Sequence, residues 1–498
     1  MNHLVLAPLL LPLAAGMINL QRVRRGLAAQ RCVSIVSTAG VLLAAILLTT
    51  RAAGGQIETY ALGGWPAPFG IVLVLDRLSA LMLLVTALLA LPVLVHACAG
   101  DDRCGRDFHV FFPIQLLGVN GAFLTGDLFN LFVFFEILLI ASYCLALHGA
   151  GPARTRAALR YVVLNLVGSS LFLVALGAVY GACGTLNMAD LAGAVANASP
   201  EQTALLRAAS LLLLTVFGLK AAVLPLMTWL PGLYSAALPS VAALFAIMTK
   251  VGVYAVLRTQ SLIFTPGGPL PEAAGLLLPL ALATVVWGTL GILGGESLRE
   301  ILAHLVIVSV GTLLAGIGLW STAGIAAALY YLPHTTLVTG GLFLLSGHIA
   351  RQRGPAGDTL GPGPPLSQAG RLGTAFLLGT MAVAGLPPSS GFIGKVLLLQ
   401  AATTGQAPWV WTVILAGGLL GLWSLARCGS SLFWRTEGVS ISGASVSWAG
   451  LAPALALLLA GLALAVLAEP VARYAGEAAA QLINPEAYIQ AVLGGGRP

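Results

Sequence analysis

Charged side chains are scarce in this sequence, and this scarcity excludes a soluble fold. Only 8% of the 498 residues are charged and 58% are hydrophobic, whereas ordinary soluble domains carry about 25% charged residues. Apolar runs recur along almost the whole chain. A helix needs about 20 such residues to cross the ~30 Å hydrocarbon core of a bilayer. We therefore predict an all-α integral membrane protein.

Cysteine pairs and the motifs of soluble enzymes are also missing. The six cysteines form no CxxC pair, which argues against a disulfide framework, a redox site or a metal site. The sequence has no GxxxxGK[ST], HExxH or GxSxG motif, so we expect no catalytic centre, no nucleotide hydrolysis and no cofactor. The arginines lie one to four at a time between apolar runs, which argues against nucleic-acid binding despite a net charge of +7.

About fourteen apolar segments have the length of membrane spans, and we number them in chain order. They cover residues 4–20, 33–50, 71–96, 110–125, 128–147, 160–182, 204–230, 238–258, 274–295, 300–320, 323–348, 371–402, 409–434 and 448–468. The sequence predicts four regions from this order. Residues 1–109 hold the first three spans, residues 110–258 and 274–434 hold five spans each, and residues 448–498 hold the last span and a tail.

The arginines in the loops predict the orientation. Loops after even-numbered spans carry only Arg51, Arg207 and Arg258, whereas fourteen arginines follow odd-numbered spans. These fourteen are Arg22, Arg24, Arg25, Arg31, Arg103, Arg106, Arg154, Arg156, Arg160, Arg299, Arg351, Arg353, Arg371 and Arg435. Positively charged loops stay in the cytoplasm, so both termini are predicted on the outer face.

Two of the predicted spans are interrupted. Span 7 contains Pro225 and Pro231, and span 12 contains Gly385 followed by Pro387 and Pro388. Proline removes a backbone donor and clashes with the preceding turn, so both helices should break. The broken helix lies fourth in each of two groups of five spans, 4–8 and 9–13. Because five spans cross the membrane an odd number of times, the second group must have the opposite orientation to the first. Two inverted five-helix repeats with paired broken helices are typical of transporters.

The chain has only three lysines, and each lies within a predicted span. Lys220 lies on span 7, Lys250 on span 8, and Lys395 follows the break in span 12. An ionisable group at membrane depth costs at least ~2.5 kcal/mol, which favours a functional role. Burial disfavours the charged form of an amine, so lysine can release a proton there while arginine stays charged. The alternative for Lys250 and Lys395 is a side chain that only reaches to the interface.

Glu136 is the one acidic residue deep within a predicted span. Its sequence neighbours are apolar, so an ionised carboxylate there needs a cation from another span, and we assign Lys220. Their attraction at ~4 Å is about 4 kcal/mol at an effective dielectric constant of 20. A change in this distance would change the proton affinity of the lysine, so the pair can act as a switch. The alternative is a static ion pair that only holds two helices together.

One histidine and several hydroxyl groups complete the predicted proton path. His334 lies near the middle of span 11 and can pass protons between Lys250 and Lys395, although a purely structural histidine remains the alternative. The supporting polar residues are Thr249, Thr335, Thr339, Ser389 and Ser390. The other histidines lie at or near the ends of spans and carry no prediction.

Three segments resemble the D-type subunits of multisubunit (Mrp/Pha-type) monovalent cation/proton antiporters. These segments are residues 126–143, 217–232 and 244–258, and residues 385–395 are similar too. The resemblance implies a proton-translocating subunit in a bacterial inner membrane that exchanges Na⁺ or K⁺ for protons together with other membrane subunits. It also implies that Glu136 and Lys220 are a coupled pair, that Lys250 is a bridge and that Lys395 is the outlet-side proton site.

The sequence departs from this family at one place. Many relatives carry a second histidine and a lysine after the histidine of span 11, where this chain has Thr335 and Thr339. The central relay is therefore expected to depend on His334 with water. Two other functions stay open: an antiporter-like, proton-pumping subunit of respiratory complex I or of a membrane-bound hydrogenase, and a structural membrane scaffold with static ion pairs.

Overall fold

A computed structural model describes residues 3–22, 26–438 and 446–494. Arg24 and Arg25, which the orientation prediction uses, lie outside the described residues. The α-helices of the described residues are α1 (Ala7–Arg22), α2 (Leu27–Ala52), α3 (Arg77–Ala97), α4 (Phe108–Leu124), α5 (Leu128–Leu147), α6 (Pro152–Cys183), α7 (Met188–Ala196), α8 (Pro200–Ala221), α9 (Leu230–Ala236), α10 (Pro239–Phe245), α11 (Met248–Leu262), α12 (Glu272–Gly294), α13 (Leu298–Gly318), α14 (Thr322–Arg353), α15 (Ala369–Ala384), α16 (Ser390–Ala401), α17 (Ala407–Phe433), α18 (Trp448–Val466), α19 (Ala468–Ile483) and α20 (Glu486–Leu493). Two short antiparallel strands, β1 (Glu58–Ala61) and β2 (Val72–Leu75), lie between α2 and α3.

Eleven helical segments of the described chain are long and apolar enough to cross a membrane. They are His3–Gln21, Leu27–Ala52, Arg77–Ala97, Leu128–Leu147, Pro152–Cys183, Pro200–Ala236, Pro239–Leu262, Glu272–Gly294, Leu298–Gly318, Ala407–Phe433 and Trp448–Val466. Shorter apolar helices are α4, α15 and α16, and α14 is longer but more polar. The outer helices expose large apolar side chains such as Leu419 on α17 and Val174 on α6. The predicted all-α membrane architecture is confirmed, and the count of fourteen spans stays a prediction.

Both predicted helix breaks are present. The first helix stops at Ala221, and Ala222 adopts a left-handed backbone with φ 61° before a short 3₁₀ turn leads into α9. The second break begins at Gly385, whose φ of 80° suits the residue that follows a helix end. The chain then re-enters a helix at α16, where the Ser389 hydroxyl accepts from the backbone N–H of Phe392 at 3.4 Å. The first break lies inside the protein, whereas Pro387 and Pro388 of the second break are exposed.

The helices α11 and α14 lie at the centre of the molecule. Every residue of α11 is buried, and so is most of α14. Gly252 lets α11 approach the end of α8, because a Cβ atom at this position would lie 2.5 Å from the backbone nitrogen of Ala221. Close approach through small residues is how membrane helices pack. The predicted residue boundaries of the four regions remain predictions.

The two ends of the helices carry different sets of ion pairs. At one end Asp101, just after α3, contacts Arg351 at the end of α14, with a distance of 2.6 Å between carboxylate and guanidinium. At the other end Asp76, just before α3, contacts Arg258 at 2.7 Å, and the ring of Tyr488 on α20 covers that guanidinium. The chain after the last span forms two helices, α19 and α20. Through Tyr488, α20 packs against this second end.

Candidate functional site

Glu136 and Lys220 are joined through a third helix. Glu136 lies on α5, where its carboxylate accepts a hydrogen bond from the hydroxyl of Ser169. Lys220 lies in the last turn of α8 and donates from Nζ to Oδ1 of Asn165 at 3.3 Å. The ion pairs of the described residues do not include one between Glu136 and Lys220. The described residues therefore lack the expected direct contact, and Glu136 and Lys220 each contact a different polar residue of α6.

Asn165 and Ser169 both lie on α6, and the sequence analysis missed them. Residues four apart share one face of a helix, so α6 offers an amide and a hydroxyl one turn apart. The amide of Asn165 is oriented by its donation to the carbonyl oxygen of Tyr161 at 2.9 Å, which leaves Oδ1 for Lys220. The sequence did contain a signal that could have identified them, because Asn165 and Ser169 are polar residues four positions apart within an apolar span.

The Lys220 side chain begins where the first broken helix ends. It is the second-last residue of α8, and the final carbonyl groups of a helix carry partial negative charge that favours a nearby cation. One of them, the carbonyl of Leu219, accepts from the indole N–H of Trp229 at 3.1 Å. The ammonium also lies 5.9 Å from the ring centroid of Phe135 on α5, a favourable cation–π arrangement.

Lys250 is enclosed in the centre of the protein. The residue is 0% exposed, so its side chain does not reach the surface, unlike the interfacial alternative considered from the sequence. Its Nζ donates to the hydroxyl of Ser309 on α13 at 3.1 Å. That hydroxyl in turn donates to the carbonyl of Val306 at 2.7 Å. Sequence reasoning missed Ser309, because nothing in the chain indicates which residue of span 10 faces Lys250.

His334 is tied to the second broken helix. Its Nδ1 lies 2.8 Å from the hydroxyl of Ser390 on α16, and that hydroxyl donates to the carbonyl of Gly461 at 2.5 Å. Because Ser390 has only one proton to donate, Nδ1 of His334 must be the donor in their shared hydrogen bond. Nε2 of His334 is buried and has no hydrogen-bond partner among the described residues.

Lys395 reaches back across the second break. Its Nζ donates to the last carbonyl of α15, that of Ala384, at 2.8 Å and to the carbonyl of Val383 at 3.4 Å. An ammonium at this position satisfies backbone acceptors that the broken helix leaves free. A narrow cavity of about 20 Å³ is lined by both Lys395 and His334. Its size corresponds to room for about one water molecule.

The predicted hydroxyl groups have different positions. Thr335 and Thr339 line the cavity shared by His334 and Lys395. Ser389 caps the start of α16 and Ser390 contacts His334. Thr249, next to Lys250, is buried and its hydroxyl has no hydrogen-bond partner among the described residues.

The chain is similar over its full length to known antiporter subunits. Residues 125–421 match the family described as "NADH:quinone oxidoreductase/Mrp antiporter, TM". A probable K(+)/H(+) antiporter subunit of the D type from Rhizobium meliloti is 38% identical over 99% of this chain and 98% of its own length. The chain belongs to the NADH:quinone oxidoreductase/Mrp antiporter family. A D-type Na(+)/H(+) antiporter subunit from Bacillus subtilis is also 38% identical, over 99% of this chain and 100% of its own length.

Solved structures of this family have the same fold. A chain of the Mrp complex from Dietzia sp. superposes with a TM-score of 0.89 at 30% identity and covers 99% of this chain and 100% of its own length. A chain of respiratory complex I from Thermus thermophilus gives a TM-score of 0.80 at 26% identity, with coverage of 96% and 99%. These similarities confirm the family resemblance stated from the sequence.

In this member of the Mrp antiporter family, the residues of the predicted proton path lie in three groups. The first links α5, α6 and α8 through Glu136 and Lys220, and the second is Lys250 with its partner on α13. The third surrounds the cavity between His334 and Lys395. Each group contains at least one side chain that can bind and release a proton and at least one neutral hydrogen-bonding partner.

Proposed function

We propose that this chain is the proton-translocating D-type subunit of a multisubunit antiporter that exchanges Na⁺ or K⁺ for protons. The observation that carries the proposal is the 38% identity to two D-type antiporter subunits over 99% of the chain. The three lysines within the helices support it, because a transporter of protons needs side chains at membrane depth that change their protonation. Such a subunit is a secondary transporter and not an enzyme.

The proposed path begins at Glu136 and Lys220. The carboxylate and the ammonium are separated by an amide and a hydroxyl of α6, so a shift of α5 or α8 against α6 changes their distance without breaking a direct ion pair. A shorter distance favours the protonated lysine and a longer one favours its release of a proton. The interrupted end of α8 supports this role, since a helix end can move without disturbing a continuous helix.

The proton then moves through the centre to the second broken helix. Lys250 on α11 lies between the two halves, and the close approach of α11 to the end of α8 brings it near the first group. His334, with Nε2 available, and the cavity beside it would carry the proton to Lys395. Lys395 is the proposed outlet-side site.

The proposed setting is a bacterial inner membrane with both chain termini on the outer face. Loops that follow odd-numbered spans carry most of the arginines, which supports a cytoplasmic position for that face. The chain is proposed to act with other membrane subunits, because its relatives are named as antiporter subunits. The cation exchanged for the proton is Na⁺ in one of these names and K⁺ in the other.

The proposal is tested in vesicles that contain the assembled complex. We expect Glu136→Gln and Lys220→Ala each to abolish cation-driven proton exchange, because each removes a titrating group from the first part of the path. Glu201→Gln, which changes an exposed acid at the start of α8, is the matched control and should exchange normally. Quantitative blotting of the membrane fraction shows that all variants insert. Normal exchange in both test variants would contradict the proposal.

A redox-driven pump is the second candidate function. The complex I chain from Thermus thermophilus shares this fold at 26% identity, which is lower than the 38% found for the antiporter subunits. Purification of the native complex distinguishes the two functions. Antiporter membrane subunits should copurify, whereas quinone- or hydrogen-oxidising subunits would support the second candidate.

A structural scaffold is disfavoured if neutralising Glu136 lowers exchange per assembled complex and leaves the yield of the complex unchanged.

A further inference from the structure

Several histidines, to which the sequence assigned no role, gather around one carboxylate at the arginine-rich end of the molecule. Asp101 follows α3 and its side chain joins three elements. It accepts from Nη2 of Arg351 on α14 at 2.6 Å and from the backbone N–H of Ser240 at the start of α10 at 3.2 Å. Nε2 of His96, in the last turn of α3, lies 4.0 Å from the same carboxylate. The backbone carbonyl of Asp101 accepts from Nε2 of His148 at 3.0 Å.

His96 is buried without a hydrogen-bond partner. It is 1% exposed, and neither ring nitrogen has a partner among the described residues. A neutral imidazole has one donor and one acceptor, and a buried polar group that lacks a hydrogen-bond partner destabilises the folded state. Such a group calls for an explanation. The ring of His96 can bind a proton, and the charged ring would then lie 4.0 Å from the carboxylate of Asp101, close enough for ionic attraction.

A second imidazole lies against His96. The ring of His348 on α14 is 4.9 Å from the ring of His96, edge to face. Nε2 of His348 donates to the carbonyl of Gly450 at 3.0 Å, so its Nδ1 is the unprotonated nitrogen, and this atom has no partner among the described residues. The ionisable groups that face His96 are thus Asp101 from the loop after α3 and His348 and Arg351 from α14.

A cleft opens beside this cluster. The cleft has a volume of about 450 Å³ and is lined by Asp101, Arg351, Arg299 and Pro239. Asp101 therefore stands between the cleft and the buried ring of His96. A proton that enters from the cleft has a carboxylate as its first acceptor and an imidazole 4.0 Å behind it.

We propose that His96, together with Asp101 and His348, is a proton-binding site on the arginine-rich face that sets the pH dependence of exchange. Protonated His96 competes with Arg351 for Asp101, and Asp101 also holds the start of α10. This helix directly follows the first broken helix, α8–α9, and leads into α11 with Lys250. Proton binding at His96 therefore changes a contact that positions the transport path. The inference rests on the proposed antiport function.

Exchange as a function of pH tests the inference in vesicles that contain the whole complex. We expect His96→Gln, which keeps a hydrogen-bonding side chain but cannot titrate, to shift the pH of half-maximal exchange by about half a unit or more. The control is His3→Gln, which changes an exposed histidine bound to the hydroxyl of Tyr60 and should leave the profile unchanged. A profile for His96→Gln that equals that of the unmodified protein overturns the inference.

A second measurement does not depend on transport. The rate of hydrogen–deuterium exchange at the ring C2 atom of each histidine, followed by mass spectrometry, reports its titration in the purified complex. We expect the exchange rate at the ring of His96 to change with pH over the range in which the complex exchanges cations, and Asp101→Asn to lower the pH of that change. A constant rate for His96 over this range overturns the inference even if the His96→Gln protein fails to assemble. The titration of His96 is also measured in a complex that carries Glu136→Gln, in which exchange is expected to be absent. A ring that still titrates there shows that the His96 site is present whether or not the proposed function is correct.

Discussion

At the scale of single residues, the three lysines within the helices share one feature: each donates to a neutral oxygen. The acceptors are the amide of Asn165, the hydroxyl of Ser309 and the carbonyl of Ala384. A carboxylate in direct contact would hold an ammonium in its charged form, whereas a neutral acceptor also accepts from an uncharged amine. Neutral partners therefore let a buried lysine gain and lose a proton without breaking an ion pair. This arrangement favours a role in proton transfer over a structural scaffold held by static ion pairs.

The partner of Lys220 provides a test at this scale. We expect Asn165→Asp to lower the exchange rate at least about tenfold, because a carboxylate at contact distance stabilises the charged lysine by several kcal/mol. Asn165→Ala removes the hydrogen bond without adding charge and should lower the rate less. Exchange assays in vesicles with equal amounts of assembled complex make the comparison. Equal rates for the Asp and Ala variants would refute the argument from charge.

At the scale of helices, each break brings a lysine to the end of a half-helix. Lys220 is in the last turn of α8, and Lys395 donates to the last carbonyls of α15. A helix end inside the protein leaves carbonyl groups without intrahelical partners, and a cation compensates their partial charge. The proline-containing interruptions thus create the helix ends beside which Lys220 and Lys395 lie.

The packing of α11 against the end of α8 provides a second prediction. We expect Gly252→Ala to lower exchange, because its Cβ would lie 2.5 Å from the backbone nitrogen of Ala221 and force the end of α8 away. The cost in stability should be about 1–3 kcal/mol, as for other overpacked sites. The control is Gly177→Ala on α6, where an added Cβ meets nothing within 4 Å. Vesicle assays and thermal unfolding in detergent measure both effects, and equal behaviour of the two variants would contradict the packing argument.

An ion pair in the loop after α3 predicts a pH effect on stability. Asp102 accepts two hydrogen bonds from Arg31 of α2, at 2.6 and 2.8 Å, and one from His109 of α4 at 3.1 Å. Burial alone would raise the pKa of Asp102, but the hydrogen bonds and charges of Arg31 and His109 outweigh burial and lower the pKa below its ordinary value of 3.8. The stabilisation is therefore complete above pH 3.8 and is lost as the pH falls through the lowered pKa.

We expect Asp102→Asn to lower the unfolding free energy by about 2 kcal/mol at neutral pH, because it leaves Arg31 without its ionic partner. The difference from the unmodified protein should disappear below the lowered pKa, where Asp102 is protonated. Thermal unfolding in detergent at a series of pH values measures this difference. Asp107→Asn changes an exposed acid of the same loop and should have no effect. A difference that persists at low pH would show that charge is not the cause.

At the scale of the whole molecule, the ion pairs separate the loops into two faces. Asp101 contacts Arg351, so the loops after spans 3 and 11 meet at one face. Asp76 contacts Arg258, so the start of α3 and the last turns of α11 meet at the other face. This separation agrees with the alternation of spans on which the orientation prediction is based. It also places the proposed His96 site on the arginine-rich face.

Labelling of cysteines tests which face is cytoplasmic. Trp65, 70% exposed between α2 and α3, is placed outside by the proposed orientation, and the exposed native Cys104 is placed inside. We expect a membrane-impermeant maleimide to label Trp65→Cys in right-side-out vesicles, and to label Cys104 only after the membrane is opened. Mass spectrometry of the labelled peptides distinguishes the sites. The reverse pattern would contradict the orientation.

Much of the architecture and several members of the candidate site follow from composition and local chemistry. Apolar runs and prolines identify the membrane helices and the two breaks. The rarity of lysine identifies Lys220, Lys250 and Lys395. The sequence analysis did not identify Asn165, Ser169 and Ser309. These residues are ordinary polar side chains in apolar helices, and only their positions across a helix interface give them a role.

The sequence by itself determined that this protein lies in a membrane, where its helices break and which side chains can bind and release a proton. Hydropathy, proline geometry and ionisation are properties of the residues themselves. Only the tertiary structure decided which of these groups meet. In helices that are apolar on all sides, no hydrophobic stripe fixes their rotation, so contacts of small residues such as Gly252 against α8 set it instead. That rotation places a neutral amide next to Lys220 and a buried, unpartnered His96 behind Asp101.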